Sequence, residues 1–302
     1  MSAIKTVALA GASGNLGPAI LDALLAAGTF EITVLIREGS KSSFPSGVKV
    51  TTVNYDSMES ITNALHGQEA VVSTLPLMAF QTQKRMIDAA IAAGVKRFIP
   101  SVFGSDLYNP KARVLPVYHD KVAIQDYLAE KSKKTPLTYT PVVNAAFFDW
   151  GLQVGLFVNF KEHKASLYDG GDRPFSVTRL SAIGTAVVGA LKHPEETENR
   201  PLYVHEAVVT QNQLLQIAKL ADPSEQWKTE VVSTEKLEKE AYESLAGPDE
   251  KRNPGLWYDF LFRAIWGEGY GGVLEKVDND LLGVKMMSEN EIKKLVEGYV
   301  QK

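Results

Sequence analysis

The chain has 302 residues, 45% of them hydrophobic and 23% charged, enough for one large or two ordinary domains with a sizeable core. Its net charge of −4 gives no electrostatic reason to expect nucleic acid or an anionic membrane as partner, and the absence of cysteine excludes disulfides, thiolate nucleophiles and cysteine-ligated metals. No basic-then-apolar leader opens the sequence, and the apolar stretch from about Phe147 to Phe160, broken by Asp149 and Gln153, is too short to span a bilayer; the expectation is a soluble cytoplasmic protein.

In chain order, strand-like runs fall at Thr6–Ala10, Ile32–Ile36, Val48–Val53, Ala70–Thr74, Arg97–Pro100 and Leu137–Pro141. Helix-like runs alternate with them at Leu16–Ala27, Ser57–Leu65, Gln81–Ala93 and Asp120–Glu130. Short β-branched runs between longer alanine- and leucine-rich ones indicate βαβ units. The strands are apolar almost throughout, as expected when helices cover both faces of a parallel sheet. The fold class is therefore α/β, a Rossmann-type doubly wound parallel sheet over residues 1–150. After about Trp150 glycine and aromatics become common, and helical patterns recur at Ser181–Lys192, Gln211–Leu220, Thr234–Leu245 and Ser288–Glu297. Ser288 followed by Glu291 forms a capping-box pattern for the last of these. Residues 151–302 are expected to form a smaller, substrate-facing lobe packed on the first.

The segment Val7-Ala8-Leu9-Ala10-Gly11-Ala12-Ser13-Gly14-Asn15-Leu16-Gly17 places three glycines, spaced three apart, between the first strand and the first helix. In that position Gly11 permits a tight turn, Gly14 lets backbone approach a diphosphate, and Gly17 lets the helix pack close to the sheet. A carboxylate ending the second strand would select a free ribose 2′-hydroxyl. Here the strand ends in Arg37, with Lys41 close behind, which suits a 2′-phosphate and NADP(H). The bland alternative is a solvated arginine at a strand end.

Ligands of an open α/β sheet lie beyond the carboxyl ends of its strands. That selects Thr74 and Leu75, Ser101 and Phe103, and the region after Pro141. Phe103 either packs against a nicotinamide or belongs to the core. Lys121, in the first turn of the helix after Pro116, is either a surface lysine or a base whose proton affinity is lowered by burial and a helix N-terminus. Tyr118 and Lys121 do not make the Tyr-x-x-x-Lys of short-chain dehydrogenases. The five histidines have no metal-ligand spacing, so no metal is expected. Trp257, Tyr258, Phe262 and Trp266 recur at helical spacing and read as core, with part of the face free to line an apolar pocket.

Several segments together resemble the NmrA-like and isoflavone-reductase-like group of atypical short-chain dehydrogenases, most closely its fungal members. The glycine turn with Arg37 is similar to the family's NADP fingerprint, and "RFIPSVFGSD" (Arg97–Asp106) to its R-F-[IL]-P-S-E-F-G-x-D segment. Lys121 in "KVAIQDYLAE" matches the family's catalytic lysine, and "TYTPVVNAAFFDWGL" (Thr138–Leu152) the stretch lining its pocket. The resemblance implies that Gly11, Ser13, Gly14, Asn15, Leu16 and Gly17, then Arg37, Lys41, Thr74, Leu75, Ser101, Phe103 and Lys121, hold the cofactor. It implies Phe103, Asn144, Phe147, Phe148 and Trp150 as substrate contacts, and Lys121 as the catalytic group. Where the family often has Glu, this chain has Val102, which removes a carboxylate near the site. The implied activity is NADPH-dependent reduction of a small aromatic or apolar secondary-metabolism substrate. Two alternatives stand beside it: a non-redox enzyme, such as a cyclase, that keeps NADP as scaffold, and a non-catalytic redox-sensing regulator. Among assemblies, a homodimer is the one considered.

Overall fold

Strand β1 (Thr6–Ala10) is buried at all but its first residue, as a central strand with helices on both faces must be. The structure is a computed structural model that describes residues 3–76, 79–249 and 252–301. After β1 come α1 (Gly17–Ala27), β2 (Glu31–Arg37), β3 (Lys49–Val53), α2 (Met58–Leu65), β4 (Ala70–Ser73), α3 (Phe80–Ala92) and β5 (Arg97–Ile99). A short α4 (Pro110–Arg113) and a 3-10 turn (Pro116–Tyr118) lead into α5 (His119–Ser132) and β6 (Thr138–Tyr139). All six strands are parallel, in the order β3-β2-β1-β4-β5-β6. The order reverses between β1 and β4, so their carboxyl ends open onto a crevice at a topological switch point.

The first-half elements lie within a residue or two of the sequence expectation, with one marked shortening. The run expected at Leu137–Pro141 pairs as a strand only over Thr138–Tyr139. Thr140 N–H still reaches the Phe98 carbonyl, but Pro141 has no N–H to continue the ladder.

The remaining chain forms β7 (Val142–Val143), β8 (Ala146–Phe147), α6 (Phe148–Gln153), β9 (Lys164–Tyr168), β10 (Phe175–Thr178), α7 (Leu180–Lys192), β11 (Leu202–Tyr203), β12 (Ala207–Val209), α8 (Gln211–Ala221), β13 (Lys228–Val232), α9 (Thr234–Ala246), α10 (Leu256–Trp266), α11 (Asn279–Leu282) and α12 (Glu289–Val300). The four helices expected here are all present, and Ser288 with Glu291 closes the capping box at the start of α12. The strands are new. They are short and pair over long distances, β9 with β13, β7 with β11 and β10 with both β8 and β12.

Helix α7 lies against α1 on one face of the main sheet. Gly184 permits the crossing, since a Cβ there would fall 2.5 Å from the Ala19 carbonyl oxygen. Ile20 and Leu24 of α1 share one buried cluster with Ile183, Ala186 and Val187 of α7. On the other face α2, α3 and α5 bury Ile61, Met86 and Ile124. A separate aromatic core gathers around Trp266, which is fully buried and stacks on Tyr168 at 4.5 Å. The α10 aromatics therefore divide: Trp266 is core, while Trp257 and Tyr258 are exposed. Phe260 of α10 packs with Leu115 and Tyr118, on the approach to Lys121. Among the described residues no helix is long and apolar enough to cross a membrane.

Candidate cofactor and catalytic site

The glycine turn joins β1 to α1 at the switch point. Gly11 has φ +84, and a Cβ there would sit 2.7 Å from the Thr74 carbonyl oxygen, so backbone shape and close approach both require glycine. Gly17 is wedged under the same turn: its Cβ would meet the Gly11 oxygen at 2.2 Å. Gly14 differs, with its nearest obstacle at 3.4 Å and an exposed surface between exposed Ser13 and Asn15. Leu16, the N-cap, offers no side-chain hydrogen bond to the start of α1. That helix end thus presents an open, uncapped N-terminus beside a bare backbone, the arrangement that favours a phosphate. Buried Leu16 serves the core rather than the ligand side.

Arg37 stands exposed at the end of β2, with exposed Lys41 following it. Among the described residues neither side chain is engaged in a hydrogen bond or ion pair. Two unpaired cations at the rim of the glycine turn fit a 2′-phosphate.

The neighbouring strand ends are tied together by direct contacts. Thr74 Oγ1 and N–H both donate to the Ala10 carbonyl at 2.9 Å. Ser101 Oγ donates to the Leu75 carbonyl at 2.7 Å, and Ser101 N–H donates to Gln83 Oε1 at 2.6 Å. Gln83, a buried amide on α3, was not singled out in the sequence; a polar residue on an apolar helix face was the available signal. The Phe103 ring is 4% exposed and packs in the cluster under β1 and α1, while its backbone carbonyl accepts a 2.5 Å hydrogen bond from Lys121 Nζ. In this structure the core alternative therefore describes the ring.

Lys121 is the third residue of α5 and half-buried. Burial pulls its proton affinity down from the ordinary lysine value of 10.5 to about 8. Tyr118 is buried, its hydroxyl 2.7 Å from Ser105 Oγ, and burial pushes its phenol up to about 12. It is thus a poor proton donor at neutral pH.

The expected pocket residues separate. Phe147 and Trp150 are half-buried and meet edge-to-face at 6.4 Å. Phe148 has no exposed surface and packs on Phe157 in the aromatic core. Asn144 is also fully buried, and its Oδ1 accepts from Gly104 N–H at 3.0 Å. Val102 faces the core formed by Phe98, Ile124 and Leu128, so the side chain at this position packs between sheet and helix instead of facing the crevice. Two surface cavities, of about 200 and 580 Å³, lie elsewhere, around Gly155 and Asn159.

A profile of the NmrA-like family matches residues 3–240. The chain belongs to the NmrA-like family. This NmrA-like chain is 34% identical over 294 residues to the oxidoreductase aprR of Aspergillus flavus, covering 95% of this chain and 96% of that one. The oxidoreductase poxI of Penicillium oxalicum is 32% identical over 296 residues, with 93% and 90% covered. Leucoanthocyanidin reductase of Vitis vinifera, solved as a binary complex with NADPH, superposes with a TM-score of 0.75 at 19% identity, covering 98% of this chain and 100% of that chain. The last likeness is one of fold.

Proposed function

We propose that the chain is an NADP(H)-dependent oxidoreductase that reduces a small aromatic or otherwise apolar secondary-metabolism substrate. Residues 1–150 hold the cofactor and residues 151–302 face the substrate. The observation that carries this reading is one line of contacts, Gly11 on Thr74, Leu75 on Ser101 and Phe103 on Lys121, which runs along the carboxyl edge of the sheet and ends on a half-buried lysine. The two fungal relatives, both oxidoreductases, and the NADPH complex of the Vitis vinifera reductase support it. The net charge of −4 supports a small-molecule partner over nucleic acid.

When bound, NADPH supplies the hydride. The open backbone at Gly14 and the uncapped start of α1 hold the diphosphate, and Arg37 with Lys41 holds the 2′-phosphate. Phe147 and Trp150 offer an uncharged aromatic wall to the substrate. Lys121, as ammonium, gives the proton that accompanies hydride addition. A lysine at its ordinary value would release that proton reluctantly near neutral pH; one near 8 is matched to the task.

In the NADPH-consuming direction the ammonium is the active form, so kcat/KM is expected to fall as pH rises through about 8 and to rise through it in the reverse direction. Lys121→Met is expected to lower kcat by about 100-fold or more, the usual worth of a general acid, with NADPH fluorescence titration showing that cofactor still binds. The assay follows nicotinamide absorbance over a panel of enones, imines and phenolic ethers. Undiminished turnover by Lys121→Met would remove the lysine from the chemistry.

A further inference from the structure

The Phe103–Gly104 peptide unit is gripped at both ends. Its carbonyl accepts from Lys121 Nζ at 2.5 Å, and its N–H donates to Asn144 Oδ1 at 3.0 Å. A trans peptide is planar, with C=O and N–H pointing opposite ways, so fixing the N–H fixes the aim of the carbonyl. An N–H drawn toward an acceptor also polarises the unit and strengthens its oxygen as an acceptor.

Asn144 is itself immobilised. It is fully buried, its Nδ2 donates to the Ala145 carbonyl at 3.1 Å, and its backbone N–H donates to the Gly104 carbonyl at 3.2 Å. Its own carbonyl accepts from the Thr178 hydroxyl of β10 at 2.6 Å. The backbone on both sides is unusual, with φ +123 at Gly104 and φ +53 at Ala145. A non-glycine residue stays in that region only where its surroundings over-determine it, and these hydrogen bonds do so.

We propose that Asn144 is a positioning residue for Lys121, acting through the Phe103–Gly104 peptide to aim the carbonyl that holds the lysine. This places Asn144 one step behind the reacting groups, with its carboxamide spent on backbone. The catalytic consequence rests on the reading of Lys121 as proton donor; the tether itself does not. A carbonyl facing an ammonium favours the charged form. Loosening the peptide therefore weakens the one described contact that opposes the effect of burial on Lys121.

The test is competitive labelling of the free protein with trace acetic anhydride, from about pH 6 to about pH 11, read by mass spectrometry at Lys121. It reports the amine's own titration without substrate or cofactor. In the wild type the midpoint is expected near 8. Asn144→Ala should move it down by about half to one pH unit, and Thr178→Val should move it the same way by less. Asn144→Asp should return it to the wild-type value or above, since a carboxyl oxygen still accepts from Gly104 N–H. Where turnover is measurable, Asn144→Ala should also lower kcat about tenfold with little change in the KM for NADPH. Where Asn144→Ala does not fold, Thr178→Val alone decides. An unmoved midpoint in the folded variants overturns the proposal, whatever Lys121→Met does to turnover.

Discussion

Arg37 ends β2 and Arg97 begins β5 of the same sheet, and their guanidinium groups meet different surroundings. Arg97 has no exposed surface; it donates to Thr138, Thr140 and Thr197 hydroxyls at 2.8 to 2.9 Å and to the Pro194 carbonyl, and burial pulls it down to about 10. Four of its five N–H donors join β5 and β6 to the chain beyond α7, so Arg97 is structural although it opens the family-like segment. Arg37 is exposed and its fork is free among the described residues. A charge-assisted hydrogen bond is worth about 1.5–3 kcal/mol, so Arg37→Ala is expected to weaken NADPH binding about 10- to 100-fold by calorimetry while leaving NADH affinity nearly unchanged. Equal losses for both dinucleotides would place the 2′-phosphate elsewhere. At this scale the glycine turn and the cation at the strand end were legible, because residue type and local spacing carry their signal, whereas Lys121 was singled out through the family-like segment around it. The Gly104–Asn144 tether was not: its partners lie 40 residues apart and meet only because β6 and β7 bring the chain back.

Helix α12 illustrates what a local motif decides. Ser288 Oγ accepts from Glu291 N–H, while the Glu291 carboxylate accepts from the Ser288 hydroxyl at 2.7 Å and from its N–H at 2.8 Å, and these last two bonds hold the carboxyl below the usual range. Removing such a cap costs about 0.5–2 kcal/mol. Ser288→Ala is therefore expected to lower the urea midpoint and to speed amide exchange at the start of α12 before other helices respond. Unchanged exchange there would mean that the packing of Ile292 and Val296 alone holds the helix. The strands beyond residue 150 had no comparable signal. A pair such as Leu202 and Tyr203 on Val142 and Val143 is too short to show alternation, and its partner is chosen by the chain between.

Across the whole molecule, the two halves share one of their buried cores. Helix α7 packs on α1, Gly184 lets the two helices approach backbone to backbone at Ala19, and Arg97 reaches across to Thr197. Residues 1–150 expressed alone would expose Ile20, Leu21 and Leu24 to water. Such a fragment is expected to bind the dye ANS strongly and to lack a native near-UV circular dichroism spectrum. A cooperatively folded fragment with a native spectrum would show the shared core to be dispensable. The alternation of strands and helices, the glycine turn and the cationic strand end were determined by the sequence alone, because periodicity, turn chemistry and residue charge are properties of a few adjacent positions. The depressed proton affinity of Lys121, the inward turn of Phe103 and Phe148 and the grip on the Phe103–Gly104 peptide were decided by the tertiary structure. Desolvation and burial are sums over neighbours that only the closed fold brings together.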